Sequence, residues 1–393
     1  MKVIPLALFL AGLAWLAYVY FGYPILLWIL GVWKRFKPES RDDYLPSVSV
    51  LISARNEEKD IGWKIAETLN WDYPQDRLDI LVASDASEDR TDETIRAMCG
   101  PRVALLRLEQ RVGKNEALNR LSQMARGDLL FFTDANSHIQ PDCLRRMVRH
   151  FADARVGCVT GTDRTMKESS ESAIGAGEKT YWGYESQLQR LESRLGSVLI
   201  CFGAIFCIRR SLYTPLQADL ANDLELPIRI GGAGHAVLFE PDAFATEKAT
   251  HSPKEEFNRR RRICGQGALG FWRLRKTFRG MRAWQFISRK LLRWLALAPL
   301  ALLLGSSLAM ASHPLFRAIL AAQLFFYAMA LLGWVLTSFR GGDRVIFALP
   351  FYFLLVNIAA FIGIIESCRG RRYSVWEVAS LTRGAEPGRT GSP

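Results

Sequence analysis

Leu78-Asp79-Ile80-Leu81-Val82-Ala83-Ser84-Asp85-Ala86-Ser87 is the stretch on which the fold turns. An apolar run of strand length stops at a turn of small polar residues, and Thr91–Met98 then has helical character. The unit repeats on both sides. Strands are expected at Val48–Ser53, Val103–Leu108 and Leu129–Thr133, and helices at Glu57–Leu69, Lys114–Met124 and Pro141–Phe151. Such alternation predicts a mostly parallel sheet with helices on both faces. Ligands of such sheets bind beyond the carboxyl ends of the strands. The polar clusters Ala54–Glu57, Ser84–Asp89 and Asp134–Ser137 fall at those ends.

Further out, the chain becomes apolar. Val3 to Trp33 is almost uncharged, long enough to span a bilayer with tilt, and lacks the cleavage pattern of a signal peptide. Lys34, Arg35, Lys37 and Arg41 follow at once, which places the next domain in the cytoplasm. Leu291–Ala311, Ala318–Phe339 and Val345–Ile365 are three further candidate spans. Simple alternation puts the tail outside, yet the tail begins Arg369-Gly370-Arg371-Arg372. Either the tail breaks the positive-inside rule, or one C-terminal segment is re-entrant or interfacial. Gly267–Lys290 mixes Phe271, Trp272, Trp284 and Phe286 with arginines and reads as an amphipathic interface helix. The order expected is a transmembrane helix over 1–35, an α/β domain over 44–262, the interface helix over 263–290, transmembrane helices over 291–366 and a tail over 367–393.

The net charge of +12 clusters beside the apolar runs and in 259–293, which suits anionic headgroups or phosphates. Nucleic acid is not an expected partner, because nucleic-acid binders seldom carry several spans. The seven cysteines are scattered, with no CxxC pair, so they fit a reduced set better than a disulfide frame or zinc site. The Gly/Pro-rich end, Gly384–Pro393, reads as disordered.

Four groups of residues carry a family resemblance: Ser49–Glu58, Ser84–Thr91, Gly113–Asn119, and Gly127-Asp128 through Asp134-Ala135-Asn136. It continues through Gly203–Arg210, Asn222–Pro227 and Arg259–Arg262. Together they resemble the membrane-integrated family 2 glycosyltransferases, such as the cellulose, hyaluronan and poly-N-acetylglucosamine synthases. The resemblance implies a GT-A fold, Rossmann-like, flanked by transmembrane helices. It implies an inverting hexosyl- or N-acetylhexosaminyltransferase that uses a UDP-sugar and Mg2+ or Mn2+. The acceptor would be lipid-linked or a glycan of the cell envelope, at the cytoplasmic face of the inner membrane.

Residue by residue, the resemblance puts Ala54, Asn56, Glu57 and Asp85 on the uracil and ribose. Helix capping by Asp85 or Ser87 is the competing role, since the helix at Thr91 follows. Asp134 and Asn136 occupy the DxD position that holds the metal, with asparagine in place of the second carboxylate. His251 is a possible extra ligand. Lys114, a cation at a helix start, suits a phosphate. Asp223 takes the place of the general base, and Asn222 departs from the usual acidic residue. Arg262 keeps the arginine of the Gln-x-x-Arg-Trp motif and can clamp pyrophosphate. Arg259 and Ile263 replace its glutamine and tryptophan, which weakens the case for a processive synthase. Gly203, Tyr181, Trp182 and Arg259 are acceptor-side candidates, the aromatics on a helix expected over Gly175–Leu195. A nucleotidyltransferase would need a Gly-rich loop where Ala54-Arg55-Asn56-Glu57-Glu58 stands. A degenerate, non-catalytic membrane scaffold is the remaining alternative, favoured by Asn136 and Asn222.

Overall fold

In the computed structural model, residues 3–163, 173–246, 253–338 and 345–373 are described. They form two compact units. One contains the described residues of Lys37–Met166, Gly196–Ala249 and Tyr373–Pro393; the other contains those of Met1–Phe36, Lys167–Leu195 and Thr250–Arg372.

The first unit is built on an eight-stranded sheet. Its strands are β1 (Val48–Ala54), β2 (Leu78–Asp85), β3 (Val103–Leu108), β4 (Leu129–Asp134), β5 (His138–Ile139), β6 (Val156–Asp163), β7 (Phe206–Arg209) and β8 (Ala236–Thr246). The order is β3-β2-β1-β4-β7-β6-β8-β5. β1 pairs in parallel with β2 and β4, and β2 with β3. β7 runs antiparallel to β4 and β6, and β5 antiparallel to β8. Every residue of β1 is buried, as suits a central strand covered on both faces. Phe132 and Phe206 stack at 4.5 Å between ring centroids and anchor the core where the parallel half meets β7.

The expected helix over 57–69 begins instead at Ile61 and runs Ile61–Leu69. Asn56 adopts a left-handed backbone (φ 51°), and the Glu57 carbonyl accepts from both Asp60 and Ile61. The chain therefore turns at the end of β1 before it can wind. Gly127 shows how closely the strand starts are packed. A Cβ there would lie 2.5 Å from the Ser49 amide nitrogen, and the Gly127 amide donates to Ser49 Oγ at 2.9 Å.

The second unit is helical. Val3–Ala17 and Tyr23–Trp33 are joined by a widened π turn over Tyr18–Gly22. Val3–Trp33, Pro314–Leu336 and Leu349–Cys368 are long and apolar enough to cross a membrane. Met281–Trp294 and Leu297–Ala309 would make a fourth crossing if counted as one, but they are bent by 55°.

Three sequence expectations change here. The span expected over 291–311 starts at Leu297, because Leu295–Ala296 break the helix and Pro299, which lacks an N–H, fits only its first turn. The interface helix expected over 267–290 is two pieces. Pro253–Arg273 ends in turns, and Gly280, at φ 52° and ψ −120°, sets the chain for Met281–Phe286. That first helix also runs unbroken through the domain boundary expected at 262/263. The helix expected over 175–195 is observed as Ala173–Ser193 and belongs to the helical unit.

Charges inside this unit are paired. Glu185 meets Arg289 at 2.7 Å, Lys290 at 3.3 Å and also Arg293; Glu192 meets Arg289 and the Tyr23 hydroxyl at 2.5 and 2.6 Å. Burial opposes ionisation of Glu185, but Arg293, Lys290 and Arg289 outweigh it and hold its carboxyl well below the usual range. Pro253–Arg273 packs on Val345–Cys368: a Cβ at Gly363 would lie 2.2 Å from the Arg261 carbonyl oxygen. Arg260 bonds both Glu256 and the Tyr352 hydroxyl, and Arg261 pairs with Glu366.

Gly127→Ala should destabilise the first unit by about 1–3 kcal/mol, since the clash is with backbone that cannot step aside. Thermal melting of the purified protein checks it; an unchanged midpoint would contradict the close packing of β1 and β4.

Candidate functional site

The parallel register brings the ends of β2, β1 and β4 side by side. Ser53 is paired with Asp134, and Ala54 with Ser84, one residue before Asp85. Asp85 and Asp134 thus flank the end of β1.

Asp85 is 4% exposed, and its two carboxylate oxygens accept from the Val112 and Gly113 amides at 2.7 and 2.9 Å. It does not cap the following helix. The Thr91 amide, at the start of that helix, donates instead to Asp89, at 3.0 Å. The β1 and β2 turns are laced together. Arg55 donates to the Asp85 and Ala86 carbonyls, the Asn56 side-chain oxygen accepts the Glu88 amide, and the Glu57 amide donates to Thr91 Oγ1. Ala86, like Asn56, has positive φ (50°). Two non-glycine residues held in this sparsely populated region mark these turns as over-determined by their surroundings.

Gly113, at φ 89°, ends the loop that Asp85 holds, and Lys114 opens the helix Lys114–Met124. Lys114 Nζ lies 2.5 Å from Asp134 Oδ1. The loop after β4 is fixed from below. Ser137 Oγ donates to the Asp134 carbonyl, and the fully buried Lys64 ammonium donates to the Ser137 carbonyl at 2.6 Å. Asp134 and Asn136 are therefore offered on a rigid turn.

Asp223 sits in the first turn of Asn222–Gly232. Pro227 lies four residues on and has no N–H, so it leaves the Asp223 carbonyl outside the helical ladder. That carbonyl accepts the Cys201 amide instead, at 2.9 Å. The bond draws Cys201–Gly203 against Asp223, where a Cβ on Gly203 would lie 3.3 Å from Asp223 Oδ2. Gly203 and Asp223 are thus brought together.

Two residues outside the sequence-based candidate set hold this frame. Asn115 donates to the Gln217 and Leu220 carbonyls at 2.6 and 2.7 Å. Asn119 accepts from the Tyr213 hydroxyl and the Leu216 amide and donates to the Leu216 carbonyl. Their i, i+4 spacing puts both amides on one helix face, and that spacing was the available signal. They tie the helix of Lys114 to the segment that leads into Asp223.

The remaining candidates belong to the helical unit. Arg259 and Arg262 lie on Pro253–Arg273, with Arg259 3.5 Å from Glu256. Burial opposes ionisation of Glu256, and Arg260 and Arg259 outweigh it, holding its carboxyl below the usual range. Trp182, on Ala173–Ser193, lies under the Arg260 guanidinium at 5.9 Å. The side chain of Tyr181, the whole of His251, the 340–344 loop and Gly384–Pro393 lie outside the described residues.

Asn119→Ala should lower stability by about 1–3 kcal/mol by stranding the Leu216 amide and Tyr213 hydroxyl. The thermal midpoint reads this out, and no shift would mean the tie is dispensable.

Residues 49–215 match the family described as Glycosyl transferase family 2. The Bacillus subtilis (strain 168) protein named "Probable glycosyltransferase YdaM" is 28% identical over 229 residues, covering 56% of this chain and 54% of that protein. An N-acetylglucosaminyltransferase of Rhizobium meliloti (strain 1021) is 27% identical over 215 residues, covering 51% and 50%. The chain thus spans about half the length of these curated relatives. Among solved structures, the mannosyltransferase PcManGT from Pyrobaculum calidifontis, in complex with GDP-Man and Mn2+, superposes with a TM-score of 0.67. It is 23% identical and covers 90% of this chain and 98% of its own, which shows a shared fold. Residues 49–215 thus match the family 2 glycosyltransferase model, and the mixed α/β sheet has the GT-A-type fold of the solved neighbour.

Proposed function

We propose that the chain is an inverting glycosyltransferase that moves one sugar from a UDP-sugar to a lipid-linked or polysaccharide acceptor at the cytoplasmic membrane face. The observation that carries this reading is the placement of Asp85 and Asp134 at neighbouring strand ends, with Lys114 on Asp134 and its helix tied through Asn115 and Asn119 to the segment before Asp223. Ala54, Asn56, Glu57 and Asp85 take the uracil and ribose. The Asp85 oxygens retain lone pairs beyond their two backbone bonds. Lys114 serves the diphosphate, and Arg262 is assigned to it by the resemblance alone. Asp223 accepts the proton of the acceptor hydroxyl as that oxygen attacks, the role one carboxylate can fill alone.

The residues present suit a divalent ion that is completed by its substrate. Asp134 offers a carboxylate and Asn136 a carbonyl oxygen. Among the described residues, no group of three or more His, Cys, Asp or Glu side chains could hold a metal. Mg2+ in particular is commonly bound by one or two carboxylates together with substrate phosphates. When bound, such an ion neutralises charge on the departing UDP. The Pyrobaculum neighbour was solved with Mn2+, which supports a divalent ion, and with GDP-Man, which keeps GDP-mannose among the donors to be tested. Single transfer is favoured over processive synthesis, because Arg259 and Ile263 stand where processive enzymes hold the growing chain with glutamine and tryptophan.

The helical unit supports three crossings in the inner membrane: Val3–Trp33, the bent Met281–Ala309 segment and Pro314–Ser338. Leu297–Ala309 packs against Val3–Ala17, with Leu303 and Met310 beside Phe9, and Trp15 bonds the Leu292 carbonyl. Val345–Cys368 lies along Pro253–Arg273, whose four successive arginines, Arg259–Arg262, favour the headgroup region. It therefore lies in the cytoplasmic interface, and the basic tail stays inside. On this reading the basic tail accords with the positive-inside rule.

Two experiments test the reading. Purified protein in detergent, with lipid extract as acceptor, should release UDP from one of a panel of UDP-sugars. Asp223→Asn should lower that rate by about 10²–10⁴-fold, and EDTA should abolish it. Release only from GDP-mannose would overturn the UDP assignment; no release from any donor would favour the scaffold alternative. In right-side-out vesicles, Cys368 should resist a membrane-impermeant thiol reagent until the vesicles are opened, whereas Ser312→Cys should label at once. Labelling of Cys368 from outside would contradict the three-crossing topology.

A further inference from the structure

The Lys114 ammonium sits on the only carboxylate of Asp134-Ala135-Asn136, at 2.5 Å. Their side chains are 21% and 17% exposed, so solvent screens the pair only partly. In this tripeptide, one negative charge is already matched by one positive charge. A bare divalent cation would have to displace the ammonium to gain a single anionic ligand. Asn136 adds no charge, and no cluster of His, Cys, Asp or Glu among the described residues compensates.

Lys114 is also built to change partners. Its backbone is fixed at the helix start by the Asp85–Gly113 bond, so only the flexible stem needs to turn. An ammonium is a point charge with rotatable donors, and it can pass from a carboxylate to a phosphate without any backbone movement. A helix N-terminus favours the phosphate on arrival.

We infer that Lys114 is a resident counter-ion that bars free divalent cations from Asp134 until the diphosphate of the donor takes the ammonium. Donor and metal are then bound as one unit. This deepens the donor-site reading proposed above and rests on it. A wasteful state, with metal held and no donor present, is suppressed by the chain's own charge. The site answers to the metal–nucleotide complex rather than to the metal concentration alone.

The test uses the full chain in detergent and Mn2+ followed by electron paramagnetic resonance, where bound ion loses the six-line signal of free ion. Wild type should leave Mn2+ largely free until UDP is added. Lys114→Met should bind Mn2+ without nucleotide about tenfold more tightly than wild type, since ligand charge sets affinity at such sites. The same variant should bind UDP more weakly in EDTA, by isothermal calorimetry. Asn136→Asp, which leaves Lys114 in place, should also tighten nucleotide-free Mn2+ binding and provides a second variant if Lys114→Met does not fold. Tight Mn2+ binding by wild type without UDP, unchanged in Lys114→Met, would overturn the inference while leaving the donor site standing. If neither wild type nor variants take up Mn2+ with UDP present, the donor-site reading itself fails, and the inference with it.

Discussion

The two hydrogen bonds from Val112 and Gly113 to the Asp85 carboxylate are the constraint on which the site depends. They close the loop after β3 onto the end of β2 and so decide where the next helix begins. Lys114 is its first residue; Asn115 and Asn119 lie on its inward face. From there the bonds run to Gln217, Leu220, Tyr213 and Leu216, and the chain continues to Asp223. A carboxylate that looks like a ligand contact in the sequence is thus also the clasp of the frame. Both roles fit one side chain, because a carboxylate has more acceptor sites than two amides use.

Much of this was legible in the sequence, and the reasons are specific. β1 to β4 are short apolar runs that end in polar turns, and all four were read within a residue or two. The strands of the other half of the sheet were not read. β7 has only four residues, β6 is interrupted by Gly157 and Gly161, and β8 contains Pro241. Their pairing is set by tertiary contact rather than by a local pattern. The Asp223 carbonyl bond could have been anticipated from Pro227, since a proline four residues into a helix always frees one carbonyl. The Lys114–Asp134 pair could not, because it joins residues 20 apart through the arrangement of the sheet.

The helical unit shows how hydropathy misplaces boundaries when charge is buried. Arg289, Lys290 and Arg293 look like the flank of a span, yet they turn inward to Glu185 and Glu192 on Ala173–Ser193. Breaking one partner of such a buried set leaves an uncompensated charge, so these positions act as a group. Val345–Cys368 is apolar enough to cross a membrane, yet its neighbour in the helical unit is the arginine-bearing helix Pro253–Arg273. Composition alone does not reveal that neighbour.

On the proposed function, the ends of β1, β2 and β4 form a nucleotide-sugar donor site. A cryo-electron microscopy map of the protein with UDP and Mn2+ tests it most directly. The account predicts density for the diphosphate beside Lys114 and Asp134, with the base over Asn56 and Asp85. Ordered nucleotide at any other place, with the Lys114–Asp134 pair intact, would contradict it.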